Sequence, residues 1–104
     1  SDLGLTPDTT ALLRNYPNPF NPETWIPFRL SSEAQVAITV YDVTGKVVRE
    51  IDVGALAPGD YLTQGRAAHW DGRNLIGEPV GSGVYYIELR AGTYRAVDRL
   101  IMAK

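Results

Sequence analysis

The chain of 104 residues contains no cysteine. That excludes a disulfide framework, zinc–thiolate sites and thiol nucleophiles. A single histidine, His69, leaves metal clusters and histidine-dependent triads without partners. Neither sign of charge dominates: ten basic residues stand against twelve acidic ones, for a net charge of −2. A nucleic-acid partner would need a concentrated basic face, so none is expected. No apolar run approaches ~18 residues, so membrane insertion is not expected either. The first ten residues, SDLGLTPDTT, lack a basic start and an apolar core and do not read as an export signal.

What is present describes an ordinary globular domain. The hydrophobic fraction of 44% and charged fraction of 21% are enough for one packed core without staples. Residues 1–12 read as a linker or tail, in which DTTALL could make a turn, and residues 13–104 as the folded domain.

Short runs with β character follow one another, separated by turn signals. TWIPFRL (24–30) reads as a strand interrupted by Pro27, which removes a ladder donor. QVAITVYD (35–42) alternates, with Val36, Ile38 and Val40 on one face and Ala37, Thr39 and Tyr41 on the other. DVTG (42–45) has the Asp and Gly of a type I turn into KVVREIDV (46–53). GALAPGDY (54–61) reads as a loop, and DYLTQGRAAHW (60–70) as a weaker strand broken at Gly65. DGRNLIGEPVGSG (71–83) is a long turn. VYYIELR (84–90) is the strongest strand signal, and AGT (91–93) turns into YRAVDRLIMA (94–103).

About seven strands in this pattern predict an all-β fold, an immunoglobulin-like antiparallel β-sandwich. The expected core is Ile26, Phe28, Val36, Ile38, Val40, Val48, Trp70, Tyr85, Ile87, Leu89 and Leu100. The last strand mixes parities: Val97 and Ile101 alternate with Leu100, which shares its face with Asp98. A bulge, or burial that changes along the strand, would reconcile this.

Few constellations carry chemistry. In WDGRNLIG, Asp71, Asn74 and nearby Glu78 offer oxygens of the kind calcium takes, but without EF-hand spacing. The structural reading has Asp71 capping the turn, Gly72 and Gly77 at positive φ, and Trp70 packed beneath. His69 reads as an edge or surface residue. The carboxylates Asp42, Glu50, Asp52, Asp60, Asp71, Glu78, Glu88 and Asp98 lie in turns or outward positions, with no cleft to pair them for glycoside hydrolysis. Tyr86 has the opposite parity to Tyr85 and should face solvent. No enzymatic activity, cofactor or metal is expected.

Four segments in order carry a resemblance: NYPNPFNPET, VAITVYDVTGKVVREI, AAHWDGRNLIGEPVGSGVYYIEL and RLIMAK. Over residues 13–104 the sequence resembles the immunoglobulin-like C-terminal domains akin to those of flagellar hook-capping proteins, which include the sorting domains of type IX-secreted bacterial proteins. The resemblance implies a C-terminal module of a larger exported protein, secreted or at the cell surface. Its partners would be secretion or surface-attachment machinery, with cargo domains N-terminal to it. The positions matching the sorting motifs are Ser82, Gly83, Val84 and Tyr85, the turn Gly92, and Arg99, Leu100, Met102 and Lys104. The ending RLIMAK departs from the basic–Met–apolar ending of the type IX branch. Rival roles are a carbohydrate- or protein-binding module and a structural spacer. The prolines of NYPNPFNPETW fix φ at Pro17, Pro19 and Pro22. Phe20 and Trp25 are apolar enough to anchor that segment on the sandwich.

Overall fold

A computed structural model describes residues 7–104. The expected linker therefore falls partly outside the described residues, at positions 1–6. Nine strand segments follow in chain order: β1 (Ala11–Leu12), β2 (Thr24–Ile26), β3 (Phe28–Leu30), β4 (Ala34–Tyr41), β5 (Val47–Leu56), β6 (Gly59–Tyr61), β7 (Ala68–Trp70), β8 (Gly83–Ala91) and β9 (Tyr94–Met102). The four long strands form one sheet in the order β5-β4-β8-β9. The short ones form the opposing layer as two ladders, β1-β3-β6 and β2-β7. Every ladder is antiparallel, and no helix occurs among the described residues.

Pro27 explains why the second layer comes in two pieces. It lies between β2 and β3, cannot donate to a ladder, and lets the chain switch from β7 to β6 as its partner. The Pro27 carbonyl accepts from the Leu13 N–H at 3.0 Å, which docks the start of the chain on this break. Counted as one interrupted path, β2 and β3 bring the architecture close to the expected seven strands. β1 is the addition: Ala11 and Leu12 pair with Arg29 and Phe28, where a linker or a turn was expected.

Both layers contribute to one core. Ile26, Phe28, Leu30 and Trp70 from the short strands meet Val36, Ile38, Val40, Ile87, Leu89 and Leu100 from the long ones, all buried. The alternation in β4 thus reads as predicted, although Thr39 on its outer face is buried as well. Val48 departs from expectation and is only partly buried. In the β4–β5 ladder Val40 pairs with Arg49 and Tyr41 with Val47, so Val48 is the extra residue of a bulge. A second bulge skips Val53.

The mixed parity of β9 has the opposite resolution. Its register with β8 runs unbroken from Tyr94 opposite Ala91 to Met102 opposite Gly83. No bulge intervenes; burial deepens along one face, from the half-buried Tyr94, Ala96 and Asp98 to the buried Leu100 and Met102, while Arg95, Val97 and Arg99 on the other face stay exposed. GALAPGDY likewise proves to be mostly strand. β5 extends to Leu56 and β6 starts at Gly59, leaving Ala57 and Pro58 as the connection.

Two tyrosines fix loops to the sandwich. Tyr61 Oη donates to the Ala57 carbonyl at 2.6 Å, and Tyr85 Oη to the Gly81 carbonyl at 2.7 Å. Each reaches four residues back, the geometry of a tyrosine corner. This all-β sandwich is immunoglobulin-like.

The contrast between core and turn tip is measurable by urea denaturation. Ile38→Ala should cost about 2–5 kcal/mol, whereas Val43→Ala in the exposed β4–β5 turn should change stability by less than about 0.5 kcal/mol.

Candidate recognition site

The segments that carried the resemblance meet at one end of the sandwich. Phe20 is the centre. Its N–H donates to the Ile101 carbonyl at 2.9 Å, and its carbonyl accepts from the Ala103 N–H at 3.0 Å. The entry segment is thereby paired in parallel with the end of β9. The Phe20 ring is buried against Trp70, with centroids 5.6 Å apart, and Trp70 meets Tyr85 edge-on at 5.5 Å. Entry segment, W-D-G turn, S-G-V-Y strand and C-terminal segment therefore share one aromatic cluster.

The entry segment is held from within as well. Its three X–Pro bonds, at Pro17, Pro19 and Pro22, are all cis. Buried Asn15 donates to Thr24 Oγ1 at 3.0 Å, and Thr24 Oγ1 lies 3.1 Å from the Tyr16 carbonyl. Tyr16 and Trp25 pair their backbones and stack at 6.3 Å. Trp25 also lies 5.1 Å from the His69 ring, and His69 Nε2 is 2.7 Å from Glu23 Oε1. His69 is an exposed strand residue, as its sequence context suggested.

The turn after Trp70 is held by side-chain oxygens. Asp71 Oδ1 accepts from the Arg73 N–H and from Arg49 Nη1, both at 3.0 Å. Asn74 Oδ1 accepts from the N–H groups of Ile76 and Glu78. The Arg73 carbonyl accepts from Trp70 Nε1 at 3.0 Å. Of the side chains considered for calcium, Asp71 and Asn74 are thus engaged in building the turn, while Glu78 joins it through its backbone; no cluster of three metal-ligating side chains occurs among the described residues. Gly72 and Gly77 have φ of +75° and +85°. Gly72 does more than turn the chain: a Cβ there would sit 2.3 Å from the Pro22 carbonyl oxygen and 2.9 Å from Met102 Cε. Only a glycine lets the turn, the entry segment and the end of β9 approach so closely.

The residues matched to the sorting motifs divide into groups. Tyr85, Leu100 and Met102 are buried and hold the fold. Gly83 pairs with Met102 and Val84 with Ile101, beside the aromatic cluster. Ser82 Oγ accepts from the Lys104 N–H at 3.0 Å, so the exposed Lys104 is tethered there too. Gly92 is not brought to this end. It turns β8 into β9 at the far end, with φ of +62°. Arg99 lies on the outer face of the long-stranded sheet, opposite Tyr86. Phe20 was expected as an anchor, but its pairing with Met102 was not; nothing in the local pattern signals a parallel contact between segments 80 residues apart.

Two acids of the long-stranded sheet and its turn are held by close partners. Asp42 has its pKa lowered, chiefly by the Thr44 hydroxyl; desolvation opposes this as the next largest effect, and the backbone N–H groups of Lys46 and Thr44 add to the lowering. A general acid needs the opposite shift. Glu88, the one buried acid among the described residues, lies on the outer sheet face and is held by Arg95 Nε at 3.0 Å and by Arg95 Nη2, with Arg90 Nε at 3.8 Å.

A model of the FlgD Ig-like domain matches residues 20–94, from Phe20 to the start of β9. The chain belongs to the FlgD Ig-like domain family. The family segment includes the W-D-G turn and the S-G-V-Y strand start, and it stops short of Arg99–Lys104. No curated protein matches the chain. Among solved structures it is similar to the one titled "Crystal structure of dimeric latent PorU from Porphyromonas gingivalis", with a TM-score of 0.58 and 20% identity. That match covers 95% of this chain and 10% of the PorU chain, and it shows a shared fold.

The close approach at Gly72 has a distinct signature. Gly72→Ala must move backbone as well as adopt an unfavourable φ, and should cost about 3 kcal/mol or more. Gly77→Ala, at similar φ but facing open space, should cost about 1–2 kcal/mol. Chemical denaturation of both variants checks the difference.

Tyr85 gives a pH dependence. Burial, and secondarily the charge of Asp42, raise its pKa above 10.0. The fold favours the neutral phenol, so its contribution is complete below pH 10 and lost as pH rises through the folded-state value. Stability against urea should fall more steeply above pH 10 in the native chain than in Tyr85→Phe. Equal slopes would contradict this.

Proposed function

We propose that this FlgD Ig-like domain is a non-catalytic C-terminal module of a larger exported bacterial protein, acting in secretion sorting or cell-surface attachment. The observation that carries the reading is the junction of Phe20, Gly72, Ser82, Met102 and Lys104. A domain whose function lay in a cleft would have no need to bring these motifs together at the end of its last strand. Here they form a folded tip that machinery can recognise by shape and strand geometry. The fold shared with a segment of PorU is consistent with such a module in a larger chain.

A carbohydrate-binding role has less support. Trp25 is half-buried between Tyr16 and His69, which leaves little free ring face for a sugar. A spacer role predicts no effect of surface changes at the tip.

Truncating Arg99–Lys104 would remove Leu100 and Met102 from the core, so it tests folding as much as sorting. A cleaner test fuses the module to the C-terminus of a periplasmic reporter in a bacterium with type IX secretion. The native module should deliver the reporter to the surface or medium, and Lys104→Glu should reduce delivery severalfold without changing the melting temperature. A reporter retained in the periplasm with the native module would overturn the sorting reading.

A further inference from the structure

The exposed flank of β9 has an unfinished ladder. Strand residues present their backbone groups alternately to one side and the other. The Ile101 carbonyl and the Ala103 N–H face away from β8, where Phe20 bonds them. By alternation the backbone groups of Arg95, Val97 and Arg99 face the same way. Among the described residues no backbone group pairs with them on that side; the Arg99 N–H is met only by the neighbouring Asp98 Oδ1, at 2.7 Å. Edge strands are ordinarily blunted by charged side chains, a proline, a bulge, an inward charge or a covering element; here β1 covers the start of β9 at Tyr94, and Arg95 and Arg99 are the charges along the open stretch. β9 has no proline, runs in unbroken register, and carries Val97, 64% exposed, in the middle of its open stretch.

Beside this edge is a cleft of about 390 Å³ lined by Arg14, Tyr86, Val97, Asp98 and Arg99. Two guanidinium groups therefore border it, Arg14 from the entry segment and Arg99 from β9. Neither has a carboxylate within ion-pairing distance among the described residues. Arg14 is held by a neutral group: with the Asn18 amide turned to satisfy both side chains, its oxygen accepts from Arg14 Nε and Nη2 at 3.2 Å. Arg95 and Arg90 differ, since both are engaged by Glu88.

We propose that the open edge of β9 between Arg95 and Arg99 is a docking site for an extended, acidic peptide segment of a partner protein. The segment adds a strand to the sheet through the outward groups of Arg95, Val97 and Arg99. About five residues suffice, at ~3.3 Å each. Its carboxylates meet Arg14 and Arg99, and an apolar side chain rests on Tyr86 and Val97. The isolated parallel bridge of Phe20 to Ile101 and Ala103 shows the same edge already bonding extended backbone one step further along. Asp98 guards the vacant position, its carboxylate satisfying the Arg99 N–H until an incoming carbonyl replaces it. This surface is separate from the motif junction, and its test does not depend on the sorting role.

The probe is a fluorescein-labelled octapeptide of alternating Glu and Val, titrated into the full chain and read by anisotropy and by ¹⁵N amide shifts. Saturable binding is expected, weakened by salt, with shifts concentrated at Arg95–Arg99. Val97→Pro removes an outward N–H without removing a ladder bond to β8, and should weaken binding ~10-fold or more. Arg14→Ala combined with Arg99→Ala, both exposed, should weaken it by a similar ~10-fold and flatten the salt dependence. Asp98→Asn should strengthen it. Circular dichroism and melting curves confirm that each variant is folded; if Val97→Pro is not, the double arginine variant decides. The proposal is overturned if a Lys/Val octapeptide binds equally well, if the folded variants bind as the native chain does, or if polygalacturonate binds while the Glu/Val peptide does not.

Discussion

The structure depends on the pairing of Phe20 with the end of β9. Two backbone hydrogen bonds and one buried ring connect residues more than 80 positions apart in the chain. Without this contact the prolines of the entry segment would lead only to a loop, and Met102 would have no reason to be buried. With it, Trp70 has aromatic neighbours on two sides, Gly72 must remain glycine, and the last two residues follow a set path along Ser82. The contact also joins the two layers at the end where the chain's recognisable motifs lie.

Local pattern made much of this legible. The alternation of β4, the hairpin at Asp42–Gly45, the interruption at Pro27 and the glycines of the W-D-G turn each have a cause within a few residues, and each appears where it was expected. The departures share a different cause. Val48 leaves the core because a bulge shifts its side chain, and a bulge depends on the partner strand. Leu30, Tyr61 and Met102 are core residues by virtue of what packs on them across the sandwich. The β5–β6 connection looked like a loop because Gly54 and Gly59 punctuate it, yet both sit within strands at positive φ. Gly92 was grouped by motif with Arg99 and Lys104, but motif order says nothing about which end of a hairpin a residue occupies.

The candidate site shows the same division. Sequence indicated which segments matter, and the capping roles of Asp71 and Gly72 followed from turn chemistry. That a Gly72 side chain would strike both Pro22 and Met102 could be seen only once the three segments were in place. The arginines of the outer face were equally ambiguous in sequence. Arg90 and Arg95 are paired with buried Glu88, while Arg14 and Arg99 border the cleft at the β9 edge.

The direction of the Phe20 pairing has a mechanical consequence. β1 lies beside the start of β9, where Leu12 N–H meets Tyr94 Oη at 3.3 Å, and Phe20 lies beside its end. The entry segment and β9 therefore run the same way along the molecule. A pull that separates residue 7 from residue 104 drags these two paths past each other lengthwise. Both Phe20 hydrogen bonds then take the load together and must break together, so the junction resists tension as a shear joint, whereas a hairpin would open one bond at a time.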